Sequence, residues 1–404
     1  MQGAHVVALA AASLVSLALS SCVAPDDPRL VDARAFRDDA RVRRAALERS
    51  IAGHDTPYAA LREAHYALSG ALSGALSGSE ALDPAADWDL LPELTPRVRE
   101  VFVDGRSGEA APIAQTDLAS LPQVLAAGEQ AFDRYPAQLD LSLARIRTRA
   151  DAERAGLHVE ESGRIRGLVE AETASGWVRA LSCSGCHGRF DGASFRLAIP
   201  NEHLAIGDPS WPLGTVDVTD DGLDDPMRPS DLRPIALEAR LHHTGNLENG
   251  RVERMVRIET LLVTQQRERF RPSRALVAAI ALYLESLADT LPELDDTSPG
   301  AALFERECAR CHALPGLAGA WVDVAEVGTD PVATTVGGQR GTGGYRAPSL
   351  RGVLDRRGLF HDGSAADVRA VLRLEPSGHE GHPFGLGLTV AERELLLDYL
   401  RGAP

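Results

Sequence analysis

The stretches Cys183-Ser184-Gly185-Cys186-His187 and Cys308-Ala309-Arg310-Cys311-His312 decide the fold of this chain. In each of them two cysteines are separated by two residues, and a histidine follows the second cysteine directly. The chain has 404 residues and five cysteines, four of which lie in these two stretches. A disulfide framework would scatter cysteines at unrelated spacings, so this distribution indicates two copies of one binding motif.

The spacing within each motif predicts covalent attachment of a haem. Two thiols three positions apart on one helical turn can each add to a vinyl group of the same haem, and the adjacent imidazole then lies beneath the iron. A single copy could also be a redox dithiol or a zinc site, but two copies that both carry the histidine favour two haem c groups. The residues predicted to hold them are Cys183, Cys186 and His187 for the first haem and Cys308, Cys311 and His312 for the second.

The first 21 residues are typical of an export signal. They form an apolar run that ends in Leu19-Ser20-Ser21-Cys22, and this run is too short to favour a membrane-spanning helix. The ending resembles a bacterial lipobox, in which Cys22 would become the lipidated first residue; a plain secretory signal with an incidental cysteine is the alternative. Val23 after the cysteine resembles outer-membrane sorting. We therefore expect a periplasmic protein that contacts the membrane through a lipid anchor.

Length and charge restrict the remaining chain. It is long enough for two to three domains with ample core. Its formal net charge of −16 argues against nucleic-acid binding, which requires a basic surface, and suits neutral or basic protein partners.

The spacing of apolar residues predicts an all-α fold with three parts after the signal. Residues 22–155 are expected to form a mostly helical N-terminal region, because 33–51 and 118–152 have helical periodicity. Residues 156–290 and 291–404 are then expected to form two tandem cytochrome c-like haem domains. The number of chains in the functional assembly is not indicated.

An internal repeat supports the tandem arrangement. Residues 232–245 match residues 350–363, and in both copies 11 positions separate the first leucine from the histidine before x-Gly. Further along, Tyr283-Leu284 matches Tyr399-Leu400 within an amphipathic run. The haem-bearing part is therefore predicted to be a duplication of one small unit. His243 and His361 occupy equivalent places in the repeat, and we favour a role in bracing a loop or a haem propionate over a catalytic one.

The second copy resembles a known family. The segment Ala347-Pro348-Ser349-Leu350-Arg351-Gly352-Val353, then Phe360-His361-Asp362-Gly363-Ser364, then Leu388-Thr389 with Glu392 opening the last helix, is similar to the second haem domain of the bacterial di-haem cytochrome c peroxidase and MauG family. The resemblance covers about residues 175–404. It implies class I cytochrome folds, electronic communication between the haems, reaction of one haem with hydrogen peroxide, and electron entry at the other from a small cytochrome or cupredoxin.

The same resemblance suggests the sixth ligand of each iron. Family members place a distal histidine 16 residues beyond the proximal one, which here is His203; Met227 and Met255 are the other possibilities. The second haem of the family usually has a methionine, but this chain has none after residue 255. Counting back from Gly385 gives His379, with His382 as the near alternative.

Two functions remain open at this point. The first is a peroxidase-like enzyme, in which Glu248 or Glu253 acts as the acid that assists O–O cleavage. The second is a non-catalytic electron-transfer cytochrome with two six-coordinate irons. The acidic run 217–225 is a possible Ca²⁺ site, as the family often has between its domains, although a solvated turn is the favoured interpretation.

Overall fold

The computed structural model describes residues 26–52, 59, 91–94, 96–139, 141–173, 176–217, 226–265, 270–319, 321–335, 341–375 and 381–402. Three predictions therefore lie outside the described residues: the signal with Cys22, the candidate ligand His379, and all of the acidic run except Asp217. Among the residues that are described, no helix has both the length and the apolar character needed to cross a membrane.

Helices and short strands alternate along the chain. The helices are α1 Pro28–Asp38, α2 Ala40–Ile51, α3 Leu121–Arg134, α4 Arg149–Arg154, α5 Cys183–Cys186, α6 Arg251–Gln265, α7 Arg274–Ser286, α8 Pro299–Glu307, α9 Val324–Val327, α10 Val332–Thr335, α11 Val368–Val371 and α12 Val390–Arg401. The strands are β1 Glu93–Leu94, β2 Arg97–Phe102, β3 Ala111–Pro112, β4 Gln138–Leu139, β5 Arg164–Thr173, β6 Gly176–Leu181, β7 Gly188–Phe190, β8 Phe195–Leu197, β9 Arg240–Leu241, β10 Leu247–Glu248, β11 Arg271–Pro272, β12 Trp321–Asp323 and β13 Gly344–Arg346.

The prediction of an all-α fold is wrong. A five-stranded antiparallel sheet, in the order β3-β2-β5-β6-β4, lies between the N-terminal helices and the first haem motif. Part of the error concerns residues 118–152, where helical periodicity continues past Tyr135. Pro136 ends helix α3 there, because the residue before a proline is driven out of the helical region and Tyr135 is extended, with a ψ of 131°. The chain then enters strand β4 and joins the sheet.

The sheet presents the first haem motif to the rest of the molecule. Strands β5 and β6 form a hairpin in which Leu168 pairs with Leu181, and β6 leads directly into Cys183. Ser182 donates its backbone N–H to the carbonyl of Gly167 at 3.0 Å. Gly167 has a φ of 78°, and a Cβ there would overlap the backbone of Gly185 inside the motif. Glycine at both positions therefore lets the strand and the motif pack backbone to backbone.

Each half of the predicted haem-bearing part contains a pair of crossed helices with a glycine at the contact. In the second half, α8 crosses α12 at Gly300, where a Cβ would collide with the carbonyl oxygen of Leu395 and with Cβ of Tyr399. Four residues on, the rings of Phe304 and Tyr399 lie 5.3 Å apart at 47°. Glycine permits the close approach and the tilted ring pair adds to it.

The first half repeats this crossing with equivalent residues. Helix α3 crosses α7 at Gly128, where a Cβ would collide with the carbonyl of Ala279 and with Cβ of Tyr283. The rings of Phe132 and Tyr283 lie 5.8 Å apart at 56°. Helix α3 belongs to the predicted N-terminal region, yet it packs as the partner of α7, so the first unit draws on chain well before residue 156.

The last helix begins where the sequence indicates. Thr389 accepts a hydrogen bond from the backbone N–H of Glu392, and the Glu392 carboxylate accepts one from the backbone N–H of Thr389 at 2.8 Å. This reciprocal capping box satisfies two amide groups that have no partner within the helix. It orients α12 so that Leu396, Leu397 and Leu400 enter the core of the second half.

We predict that Gly300→Ala lowers the free energy of unfolding by about 1–3 kcal/mol, because the new methyl group must displace the backbone of α12. On a solvent-exposed helix face, glycine to alanine would instead raise the free energy of unfolding by up to about 1 kcal/mol. A decrease therefore indicates a close helix crossing. Chemical denaturation followed by circular dichroism measures the effect. Gly387→Ala is the control, since a Cβ there meets no atom within 4 Å; equal stability of the two variants would disprove the close crossing.

Candidate haem sites

The first motif forms one helical turn that ends at its histidine. The backbone N–H of His187 donates to the carbonyl of Cys183 at 2.8 Å, which closes the turn and places the two cysteines and the imidazole close together. Nδ1 of His187 lies 3.0 Å from the carbonyl oxygen of Ser230. Because a carbonyl can only accept, Nδ1 carries the proton and Nε2 keeps its lone pair for a metal ion.

The second motif has the same arrangement. The backbone N–H of His312 donates to the carbonyl of Cys308 at 2.9 Å. Its Nδ1 lies 2.9 Å from the carbonyl oxygen of Pro348 and 3.3 Å from that of Leu317. Both histidines thus present Nε2 as the free ligand atom, and the main chain fixes the orientation of each ring.

Burial holds these groups in their neutral forms. Burial lowers the pKa of His187 to about 4, although the hydrogen bond to Ser230 acts to raise it. Burial also lowers the pKa of His312. It raises the pKa of the thiols of Cys183, Cys186 and Cys308 to about 12. A thioether has no charge to bury, so these neutral surroundings are compatible with thioether attachment.

The two sites are built from equivalent pieces of the repeat. The accepting carbonyls belong to residues two positions before the repeat leucines Leu232 and Leu350. The leucine N–H groups donate to the carbonyls of Ala198 at 2.9 Å and Leu317 at 3.0 Å. Ala198 and Leu317 both have positive φ, 63° and 47°. The repeated sequence therefore produces repeated backbone geometry, including conformations that residues other than glycine seldom adopt.

The equivalence continues beyond the leucines. Leu241 pairs with Leu247 in the first unit, and Leu359 forms the corresponding antiparallel bridge with Ala365 in the second. The residues that follow Leu241 and Leu359, His242 and Phe360, have φ of 63° and 69°. The units then differ, because the first continues into the 15-residue helix α6 and the second into the single turn α11.

A cavity of about 230 Å³ surrounds the second motif. Cys308, Cys311 and His312 lie in its wall. Much of the remaining wall is apolar and comes from the second unit, namely Leu350, Val353, Val368, Val371, Leu372, Leu396 and Leu400. Five arginines also border it, namely Arg228, Arg310, Arg346, Arg356 and Arg357. An apolar slot with two thiols, an oriented neutral imidazole and nearby cations fits a porphyrin that carries two carboxylates, so these residues would hold the second haem.

Residues of the first unit complete this cavity. Pro229, Ser230, Asp231 and Glu238 line it beside residues of the second unit. Ser230 is the residue whose carbonyl accepts the hydrogen bond from His187. A single segment of chain therefore contacts the histidine of the first site and borders the cavity of the second.

The two units are related by pseudo-two-fold symmetry at their interface. The backbone N–H of Arg228 donates to the carbonyl of His361 at 3.0 Å, and that of Arg346 donates to the carbonyl of His243 at 2.9 Å. Arg228 and Arg346 lie four residues before the repeat leucines. His243 and His361 lie 11 residues after the same leucines. Each unit thus makes the same contact with the other, as in a two-fold symmetric dimer.

A buried ion-pair network strengthens the interface. Asp231 accepts from Arg233 at 2.6 Å and from Arg356 of the other unit at 2.8 Å, and its side chain is only 2% exposed. Burial alone would raise the pKa of Asp231, but Arg356 and Arg233 outweigh it and hold the pKa below its ordinary value of 3.8. The carboxylate is therefore ionised at neutral pH and joins the two units.

The histidines predicted to brace loops make bracing contacts. Nε2 of His243 lies 2.9 Å from the carbonyl of Arg228. His361 lines the second cavity, and its ring stacks on that of Tyr345 with the centroids 5.1 Å apart. His361 also groups with Asp330 and Asp362, whose ligand atoms lie within 4.8 Å of one another. The Ca²⁺ prediction concerned the acidic run, which apart from Asp217 is outside the described residues.

The candidate sixth ligands have different environments. The side chain of His203 is 69% exposed, and its Nε2 lies 3.8 Å from the carboxylate of Glu202. Met227 and Met255 are buried, the latter fully within a hydrophobic cluster. His382 lines the same cavity as His312 and has a φ of 50°. A strained residue that faces a cavity is often functional, so the structure supports His382 as a candidate ligand.

The candidate catalytic acids are held in ion pairs. Glu248 pairs with Arg240 at 2.7 Å and Glu253 with Arg49 at 2.7 Å. Neither is among the described residues that line the cavity around the second motif. Their role as acids stays a prediction. Arg228 was not singled out from the sequence, although its place four residues before the repeat leucine, matching Arg346, could have marked it.

Comparison with known proteins adds no relative: no family model, no curated protein and no solved structure matches this chain.

We predict that Asp231→Asn lowers the free energy of unfolding by about 3–5 kcal/mol at pH 7, because Arg233 and Arg356 then lose their buried counter-charge. Since the folded-state pKa of Asp231 lies below 3.8, the wild type should lose stability as the pH falls below that value, and the variant should lose less. Denaturant titrations at several pH values measure both effects. The control is Asp398→Asn, which removes an exposed pair with Arg401 and should change stability by less than about 1 kcal/mol.

Proposed function

We propose that this chain is an exported di-haem c-type cytochrome that reduces hydrogen peroxide with electrons passed between its two haems. The observation that carries the proposal is the position of Ser230. Its carbonyl accepts the Nδ1 proton of His187, and the same residue borders the cavity around His312. The two predicted haem sites are therefore adjacent and share a wall, as electron transfer between them requires.

The residues of the chain have defined tasks in this proposal. When bound, each haem supplies an iron that takes up and releases one electron. His187 and His312 would bind the irons through Nε2, and the carbonyls of Ser230 and Pro348 keep each ring in the tautomer that leaves Nε2 free. Much of the wall of the second cavity is apolar, which would lower the local dielectric constant around that haem.

Reaction with peroxide is proposed for the first site because its candidate distal ligand is exposed. The side chain of His203 is 69% exposed, so solvent and a small oxidant can reach it. The second site has His382 in a largely apolar wall, which would suit an iron with two protein ligands that transfers electrons without binding substrate. The two sites are thus suited to different tasks.

A non-catalytic electron carrier is the second candidate, and one observation favours it. Both proposed proton donors, Glu248 and Glu253, form ion pairs with arginines. A general acid must be free to deliver its proton to the substrate. If neither carboxyl group is released, both irons would exchange electrons with protein partners only.

The partners follow from charge and location. We propose a small cytochrome or cupredoxin as electron donor, with a neutral or basic surface that the net charge of −16 would attract. Export and a lipid anchor at Cys22 would place the chain on the periplasmic face of a membrane.

The proposal predicts about two c-type haems per chain in a pyridine haemochrome assay. It further predicts that the half-reduced protein, mixed with hydrogen peroxide in a stopped-flow spectrometer, oxidises a reduced small cytochrome over many turnovers. Two haems without turnover would favour the electron carrier. Absence of covalent haem would overturn both functions. The control is the same protein with Cys183→Ser and Cys186→Ser, which should keep one haem and lose turnover.

The sixth ligand of the second haem can be identified by paired variants. We expect His382→Ala to convert the second haem to a high-spin state in the electron paramagnetic resonance spectrum, because the ring of His382 lines the same cavity as His312. His379→Ala is the matched variant and should leave the spectrum unchanged. The reverse result would assign the ligand to His379.

A further inference from the structure

We propose that Arg228, a residue of the first unit, binds a carboxylate of the haem held in the cavity of the second unit, and thereby raises the reduction potential of that haem. This inference rests on the proposed function, because it requires a haem in that cavity. It goes further by assigning a residue of one repeat unit to the electronic tuning of the other.

Arg228 reaches the second cavity from the first unit. It lies in the wall of the cavity, four residues before the repeat leucine Leu232. Its backbone is held at both polar groups, because the N–H donates to the carbonyl of His361 and the carbonyl accepts from Nε2 of His243. The position of the residue at the interface is therefore fixed by main-chain contacts.

The guanidinium group has unused hydrogen-bonding capacity. Among the described residues, Nε and Nη1 of Arg228 are buried without a hydrogen-bond partner. Glu202 and Asp362 stabilise its charge only through space, and burial, the larger effect, lowers its pKa. A partly buried cation without a counter-charge in contact is costly, so this arrangement is expected where a bound anion supplies the charge.

Two glycines pack against this side chain. Gly358 and Gly363 have positive φ, and a Cβ at either position would overlap the guanidinium group of Arg228. The loop of the second unit therefore packs directly against the cation. Close packing holds the group in one place, which lowers the entropy cost of binding an anion there.

The equivalent arginine of the second unit has partners within the protein. Arg346 forms an ion pair with Glu238, and its Nε donates to the carbonyl of His242 at 2.6 Å. Its charge is thus neutralised within the protein. Arg228 has no such carboxylate in hydrogen-bond contact among the described residues, so the pseudo-two-fold relation is broken at this point.

A carboxylate of the haem is the acceptor that fits the cavity. Much of the wall is apolar, and a porphyrin fixed through Cys308 and Cys311 brings two carboxylates with it. Arginine donates charge-assisted hydrogen bonds to carboxylates, and its planar group stays charged at any pH the protein meets. A free anion from solvent has the same chemistry, and a titration with acetate separates the two sources.

The test is a spectroelectrochemical titration of the haem-loaded protein and of Arg228→Gln. Loss of the positive charge stabilises the oxidised haem, so we expect the equilibrium constant for reduction of the second haem to fall about tenfold, which is 59 mV for a one-electron couple. The first haem should change less than twofold. The double variant Cys308→Ser/Cys311→Ser, which keeps only the first haem, assigns the two transitions.

Further variants keep the test decisive. Arg228→Lys retains the charge but not the planar guanidinium donors, and should shift the same transition in the same direction by about threefold. If Arg228→Gln does not accumulate as folded protein, the shift measured in Arg228→Lys tests the inference instead. Arg401→Gln, which removes an exposed arginine of the second unit, should shift neither transition.

The outcomes are separable. If wild-type protein holds two haems and neither Arg228 variant shifts the second transition by more than twofold, the inference is wrong and the proposed function stands. If the wild type holds no haem, both are wrong. A wild-type potential that varies with acetate concentration at constant ionic strength, with the dependence lost in Arg228→Gln, would overturn the inference by assigning the acceptor to a free anion.

Discussion

The hydrogen bond from each motif histidine to a main-chain carbonyl is the contact on which the two repeat units depend. His187 and His312 lie in separate units, yet each donates Nδ1–H to a carbonyl two residues before a repeat leucine. This bond closes a long stretch of chain onto the motif, sets the tautomer of the ring, and determines where the next loop runs. The positive-φ residues, the leucine hydrogen bonds and the short turns that follow are arranged around it.

Because both units are built on this contact, they can meet in a nearly symmetric way. Arg228 and Arg346 make equivalent backbone hydrogen bonds to the opposite unit. The symmetry ends at the side chains, where Arg346 has Glu238 as its partner and Arg228, in the wall of the cavity, has no carboxylate in hydrogen-bond contact among the described residues. The two candidate sites are therefore similar in backbone geometry and differ in the charged side chains around them.

The five-stranded sheet changes the surroundings of the first site only. Its strands β4, β5 and β6 lie between helix α3, which packs against α7, and the motif that begins at Cys183, whereas β2 and β3 precede α3. In the second unit the corresponding helix α8 leads directly into Cys308. The packing of α3 against α7 through Gly128 and Tyr283 survives the insertion, because that contact needs the two helix faces and not the length of chain between them.

The sequence by itself determined the two motifs, the repeat and the capping box at Thr389, because each depends on residues close together in the chain or at matching spacings. It did not reveal the sheet, since strands such as β2 and β5 pair across some 70 residues and carry no local signal of their partner. Nor did it reveal that Ser230 joins the two sites or that Arg228 enters the second cavity. Those facts depend on the docking of one unit against the other, which only the tertiary structure decides.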